Sequence, residues 1–86
     1  MTVFNIGISK IIYQKEHGGQ TLALVQLSTK TMWAIYLIQD GKIQMSRCYC
    51  WFSDTKDKTK KLVQAGARHD YKKYKQLFLT DKLEWI

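Results

Sequence analysis

A chain of 86 residues, 45% of them hydrophobic, has room for one domain and one core, and such a chain buries somewhat over ~60% of its extended surface on folding. No apolar run approaches the ~20 residues that cross a bilayer, the opening MTVFNIGISKIIYQK lacks the pattern of a cleavable leader, and no Pro- or Ser-rich tract marks a linker, so the expectation is a cytoplasmic protein without membrane association. Fourteen Lys plus Arg against seven Asp plus Glu leave a formal charge of +7, which favours polyanionic partners and would equally serve to keep a small protein in solution.

Val3 to Lys15 is β-rich with imperfect alternation. Phe4, Ile6, Ile8 and Ile12 fall on one side with Lys10 interrupting, and Val3, Ile11 and Tyr13 fall on the other. Gly7 in mid-run predicts a bulge or bend, and Glu16-His17-Gly18-Gly19 reads as a turn. Thr21 to Ser28 is apolar on both sides at first, the pattern of a strand flanked by neighbours. Ser28-Thr29-Lys30 then leads into a hairpin over Thr31 to Phe52, turning at Asp40-Gly41, the pair a type I′ turn asks for.

With Gln39 and Lys42 closing that turn, Ile38 should face Ile43, Tyr36 face Met45, Ala34 face Arg47, and Met32 face Tyr49. This side is nearly all apolar and is expected to be the core face, with Arg47 toward its open end, stem on Tyr49. The opposite side carries Trp33, Ile35 and Leu37 against Lys42, Gln44, Ser46, Cys48 and Cys50, half apolar and half polar.

At Ser53 the character changes. Ser53-Asp54-Thr55 is a helix-start signal, the helix should run to about Ala65, and Gly66 should stop it. Asp54 with Lys58 and Asp57 with Lys61 are acid-before-base pairs one turn apart. Asp70 can cap a second helix, Tyr71 to Leu79, whose Tyr71, Tyr74, Leu77 and Phe78 share one face. Thr80 to Ile86 is expected to form a short terminal strand or a docked tail holding Trp85 and Ile86. The fold class is therefore α+β: an N-terminal four-stranded antiparallel meander packed on its core face by two short C-terminal helices.

Between Asp54 and Lys75 stand Lys56, Lys58, Lys60, Lys61, Arg68, Lys72, Lys73 and Lys75, a density of cations that suits phosphate neutralisation. The expected function is that of a small non-enzymatic basic domain that binds nucleic acid, DNA or RNA, mainly through these phosphate contacts. The rival is a protein-binding module, an inhibitor or adaptor of the phage- or plasmid-type accessory kind. It would dock on an acidic protein through Trp33, Ile35 and Leu37 or an exposed hairpin edge; a homodimer through that face would serve either function.

Cys48 and Cys50 share one strand face about 6.5–7 Å apart, the outer limit for a disulfide, and read as small apolar residues in a reducing compartment. With His17 and His69 they match no zinc spacing, so neither metal nor cofactor is expected. No Gly-rich phosphate loop or nucleophile elbow is present and no catalytic residue is assigned. The residual enzyme option is a small toxin-type ribonuclease using Arg68, His69 and Tyr71.

Overall fold

The computed structural model describes residues 7–52, 54 and 56–83. It is an α+β structure: four antiparallel strands, β1 (Ile8–His17), β2 (Gln20–Leu27), β3 (Met32–Gln39) and β4 (Lys42–Cys50), followed by one helix, α1 (Asp57–Leu79). The strands pair in chain order, leaving β1 and β4 as the two edges. Both tight turns follow from their residues. Asp40 and Gly41 take φ of 54° and 76°, and Gly18 and Gly19 take 60° and 80°, as a type I′ connection requires.

The hairpin register departs from the expected pairing after two rungs, Gln39 with Lys42 and Ile38 with Ile43. Ile38 faces Ile43, but Leu37 then faces Met45, so Gln44 is an extra residue in β4. From there Tyr36 pairs with Ser46, Ile35 with Arg47, Ala34 with Cys48 and Trp33 with Tyr49. Because side chains alternate with a period of two, one inserted residue moves the rest of the strand to the other face. Met45, Arg47 and Tyr49 thus join Trp33, Ile35 and Leu37. Two similar irregularities interrupt β1, between Ile8 and Lys10 and between Ile11 and Tyr13.

The helix covers the face of Trp33, Ile35 and Leu37, not the face of Met32, Ala34, Tyr36 and Ile38. The reason lies in β2. Its Leu22 and Leu24 share the Trp33 side, while Ala23 and Val25 share the other. Summed over both central strands, the Trp33 side carries the larger apolar surface, and burial follows area. Against it the helix sets Ala67, Tyr71, Tyr74 and Phe78, with Val63 and Leu77 partly buried beside them. A second cluster, Ala23, Val25, Ala34, Tyr36 and Ile38, lies on the opposite side of the sheet.

One helix stands where two were expected. Neither Gly66 nor Asp70 interrupts it, because Val63, Ala67, Tyr71, Tyr74 and Phe78 form one unbroken stripe at helical spacing. Burying that stripe outweighs the ~1 kcal/mol cost of a helical glycine. The stop comes at Thr80-Asp81, where Asp81 adopts φ of 58°. The Asp81 N–H donates to the Phe78 carbonyl at 3.2 Å and the Lys82 N–H to the Leu77 carbonyl at 2.8 Å, the paired bonds of a Schellman ending. At the other end the helix begins at Asp57, behind Lys56, without a side-chain cap. Ser53 and Thr55 of the expected start lie outside the described residues, as do Val3, Phe4 and Ile6, and Trp85 and Ile86 of the expected terminal strand. Leu83 packs against the core beneath the helix without joining a strand. Neither Asp54 with Lys58 nor Asp57 with Lys61 closes into an ion pair; among the described residues the salt bridges are His17–Asp81 and Arg47–Asp70.

The helical glycine yields a direct check. Gly66 is exposed, and nothing lies within 4 Å of the position a Cβ would occupy. Gly66→Ala should therefore stabilise the fold by about 0.5–1 kcal/mol, read as a thermal midpoint a few degrees higher. A lowered midpoint would contradict a continuous helix through this position.

Candidate nucleic-acid interface

Because the buried stripe fixes the rotation of α1, it also fixes where the cations go. At ~100° per residue, Lys61, Arg68, Lys72 and Lys75 fall within about 60° of one another and extend over ~21 Å. This stripe flanks the buried one on the side of β1. Asp57 stands at its head, one turn before Lys61. The other four cations are placed differently. Lys56 precedes the helix, and Lys58 points outward. Lys73 is rotated ~100° on from Lys72, toward the flank that holds Asp70. Lys60 lies over the Trp51 ring, its Nζ 5.6 Å from the centroid.

A groove of about 240 Å³ separates this flank from the edge strand, lined by Tyr13, Gln14, Lys15, Tyr71, Lys72 and Lys75. It holds three ammonium groups and no carboxylate. Lys15 comes from β1, opposite Leu22, and so stands on the helix side of the sheet. The groove floor is anchored to the sheet. Tyr71 is buried and its hydroxyl donates to the Leu22 carbonyl at 2.9 Å. Burial pushes the Tyr71 phenol up to about 12, so it is a neutral donor at physiological pH.

The aromatic at the mouth of the groove is Tyr13. Its ring tilts over Tyr71 with centroids 5.5 Å apart and an interplanar angle of 31°, yet it remains 41% exposed. Alternation alone would send Tyr13 to the side opposite Ile12. The register shift between Ile11 and Tyr13 lets both Ile12 and Tyr13 address the helix. The signal in the sequence is the run Ile11-Ile12-Tyr13, three consecutive large apolar residues in a two-sided strand, a pattern that alternation cannot resolve without a bulge.

The residues expected to form a docking face are core instead. Trp33 is 3% exposed, and Ile35 and Leu37 are buried with it beneath α1. Trp33 meets Trp51 edge-on at 6.4 Å, and the Arg68 guanidinium stacks 4.8 Å from its ring centroid. These three side chains present no surface to a partner, because the helix occupies it. Tyr71 and Tyr74 are likewise core. Arg68, His69 and Tyr71 do not converge: Arg68 lies on Trp33, Tyr71 is bonded to Leu22, and His69 is exposed.

On the β4 flank the helix is tied by polar contacts. The Tyr49 hydroxyl donates to the Asp70 carboxylate at 2.5 Å, and Arg47 Nε lies 3.7 Å from the same oxygen. Arg47 also sits 5.7 Å from the Tyr49 ring centroid, the contact expected of its stem. Burial, reinforced by the bond to Asp70, holds the Tyr49 phenol far above the ordinary tyrosine range. Cys48 and Cys50 are free thiols, exposed on the face away from the helix. No group of three or more His, Cys, Asp or Glu that could hold a metal ion occurs among the described residues, and no helix there is long and apolar enough to cross a membrane. Comparison with protein-family models, with curated proteins and with solved structures returns no match for this chain.

The raised phenols set an alkaline limit to stability. Folding favours the protonated form of Tyr71, so its contribution is complete below pH 10 and is lost as pH climbs from 10 toward 12. Urea midpoints should fall across that window. Tyr71→Phe should lower stability near neutrality by about 1 kcal/mol through the lost bond to Leu22 and flatten the alkaline decline, and an unchanged decline would mean that other groups carry it.

Proposed function

We propose that this protein is a small basic binding domain for nucleic acid that works mainly through phosphate contacts, with the Lys61, Arg68, Lys72 and Lys75 flank of α1 and Lys15 of β1 as its cationic surface. The supporting observation is one-sidedness. Cations from the helix and from the edge strand border a single groove whose lining has no carboxylate, whereas Asp70 and Asp81 are engaged elsewhere, with Tyr49 and Arg47 and with His17. A stripe of ~21 Å matches about six nucleotides of one strand at its 3.4 Å rise. Phosphate binding of this kind gives affinity and orientation without reading sequence.

Fluorescence anisotropy with a random-sequence duplex should give an affinity whose logarithm falls linearly with the logarithm of salt, with a slope of about four to five for five neutralised phosphates. Lys72→Gln combined with Lys75→Gln should reduce that slope by about two. Undetectable binding at low salt would end this reading.

A second reading rests on a different surface. Phe52 is 81% exposed and Leu62 65% exposed, and Phe52 lines an apolar hollow with Cys50, Trp51, Thr59 and Val63. Large apolar side chains left in water near Lys58 and Lys61 suit docking on an acidic protein partner. Phe52→Ala should then abolish complex formation with the fold intact while leaving oligonucleotide affinity unchanged; loss of the latter would assign Phe52 to the nucleic-acid surface instead.

A further inference from the structure

Building on the phosphate-binding reading, we infer that the groove between β1 and α1 takes an unpaired base, and that the ligand is therefore single-stranded nucleic acid in preference to duplex. Tyr13 still offers 41% of its surface to water, while the rest packs on protein, including Tyr71 beneath its ring, which is itself anchored through its hydroxyl to β2. A ring seated in this way, part covered and part open at the groove mouth, can offer its exposed part to a stacking partner at little side-chain entropy cost.

Its surroundings supply the other half of a single-strand site. Lys15 sits two residues along the same strand, and Lys72 and Lys75 stand across the groove. A ring set among ammonium groups is the combination by which proteins hold unpaired strands: cations neutralise the backbone and the aromatic face accepts a base of any identity. At about 240 Å³ the groove falls below the ~300–1,000 Å³ of typical small-molecule pockets, a size suited to one ring rather than to an elaborate ligand. It also runs along β1, an edge of the sheet among the described residues, whose outward-facing backbone N–H and C=O groups can meet the polar edge of a base. In a duplex those base edges and faces are already paired and stacked, so only the lysines would have anything to contact.

The experiment compares a random-sequence single strand with the duplex of the same length at matched ionic strength, using labelled oligonucleotides and anisotropy. The native chain should favour the single strand. Tyr13→Ala should weaken single-strand binding by roughly 5- to 150-fold, the range of one lost base stack, with duplex affinity and salt slope unchanged; Tyr13→Phe should retain the preference, since the ring and not the hydroxyl is used. Circular dichroism and the thermal midpoint of Tyr13→Ala would show whether the platform also supports the fold, and Tyr13→Phe keeps the test valid if it does. Equal loss for both ligands in a folded Tyr13→Ala variant, or equal affinity of the native chain for single strand and duplex, would overturn the inference while leaving salt-dependent phosphate binding intact. Absence of any salt-dependent binding would instead overturn the reading beneath it.

Discussion

The structure depends on one stripe of side chains, Val63, Ala67, Tyr71, Tyr74 and Phe78, meeting Leu22, Leu24, Trp33, Ile35 and Leu37. A helix attached to a sheet along one stripe has a single rotational setting, because turning it would bring lysines onto leucines at a desolvation cost that no contact here would offset. The setting is reinforced at three points along its length. Asp70 is tied to Tyr49 and Arg47 on the β4 flank, and Tyr71 to the backbone of β2. At the C-terminal end the His17 ring packs edge-on against Phe78, and its Nε2 lies 3.0 Å from Asp81. Once the rotation is set, the positions of the cations follow from helical geometry alone.

That geometry also sorts the charges. The helix carries Lys61, Arg68, Lys72 and Lys75 on the β1 flank and its interior acid, Asp70, on the β4 flank, where Arg47 answers it. Asp81 is engaged by a histidine at the turn between β1 and β2. Arg68 lies 4.8 Å from the centroid of the Trp33 indole, a cation on an aromatic face. An excess of positive charge spread evenly over a small protein raises solubility and little else. Gathered along one groove, it produces a local potential that a polyphosphate can follow.

Much of the architecture is legible in the sequence, because it is specified locally. Asp40-Gly41 and Gly18-Gly19 announce their turns, the runs between them announce strands, and a four-stranded antiparallel meander is the simplest way to connect them. What the residues hide is register. Nothing about Gln44 distinguishes an inserted residue from an ordinary one, yet it decides that Tyr49 and Arg47 stand with Trp33 and can reach Asp70. The face covered by the helix could have been found by weighing β2 together with the hairpin, where Leu22 and Leu24 tip the balance. The single helix is hidden for the opposite reason: Gly66 and Asp70 are stop and cap residues in isolation, but a 3.6-residue period runs through both without a break. Tertiary burial overrides propensity where the stripe is continuous.

The two edges of the sheet differ in a way that bears on what each can do. An exposed edge strand is a hazard, since its open backbone groups template pairing with other chains. In β1 the register shifts beside Ser9 and Ile12 break the regular ladder, and Lys10, Lys15 and Glu16 add charge along it, devices that discourage strand addition. The irregularity that blunts the edge at Ile12 is the same one that lets Ile12 pack against the core beside Tyr13, which stands on the helix side in regular register with Lys15 and His17. A perfectly alternating β1 would keep Tyr13 there and turn Ile12 to the far face, leaving the seam between β1 and α1 without that apolar side chain. One inserted residue therefore both interrupts the edge ladder and adds an apolar side chain to the seam between β1 and α1, so protection against aggregation and the packing beside the groove share a cause.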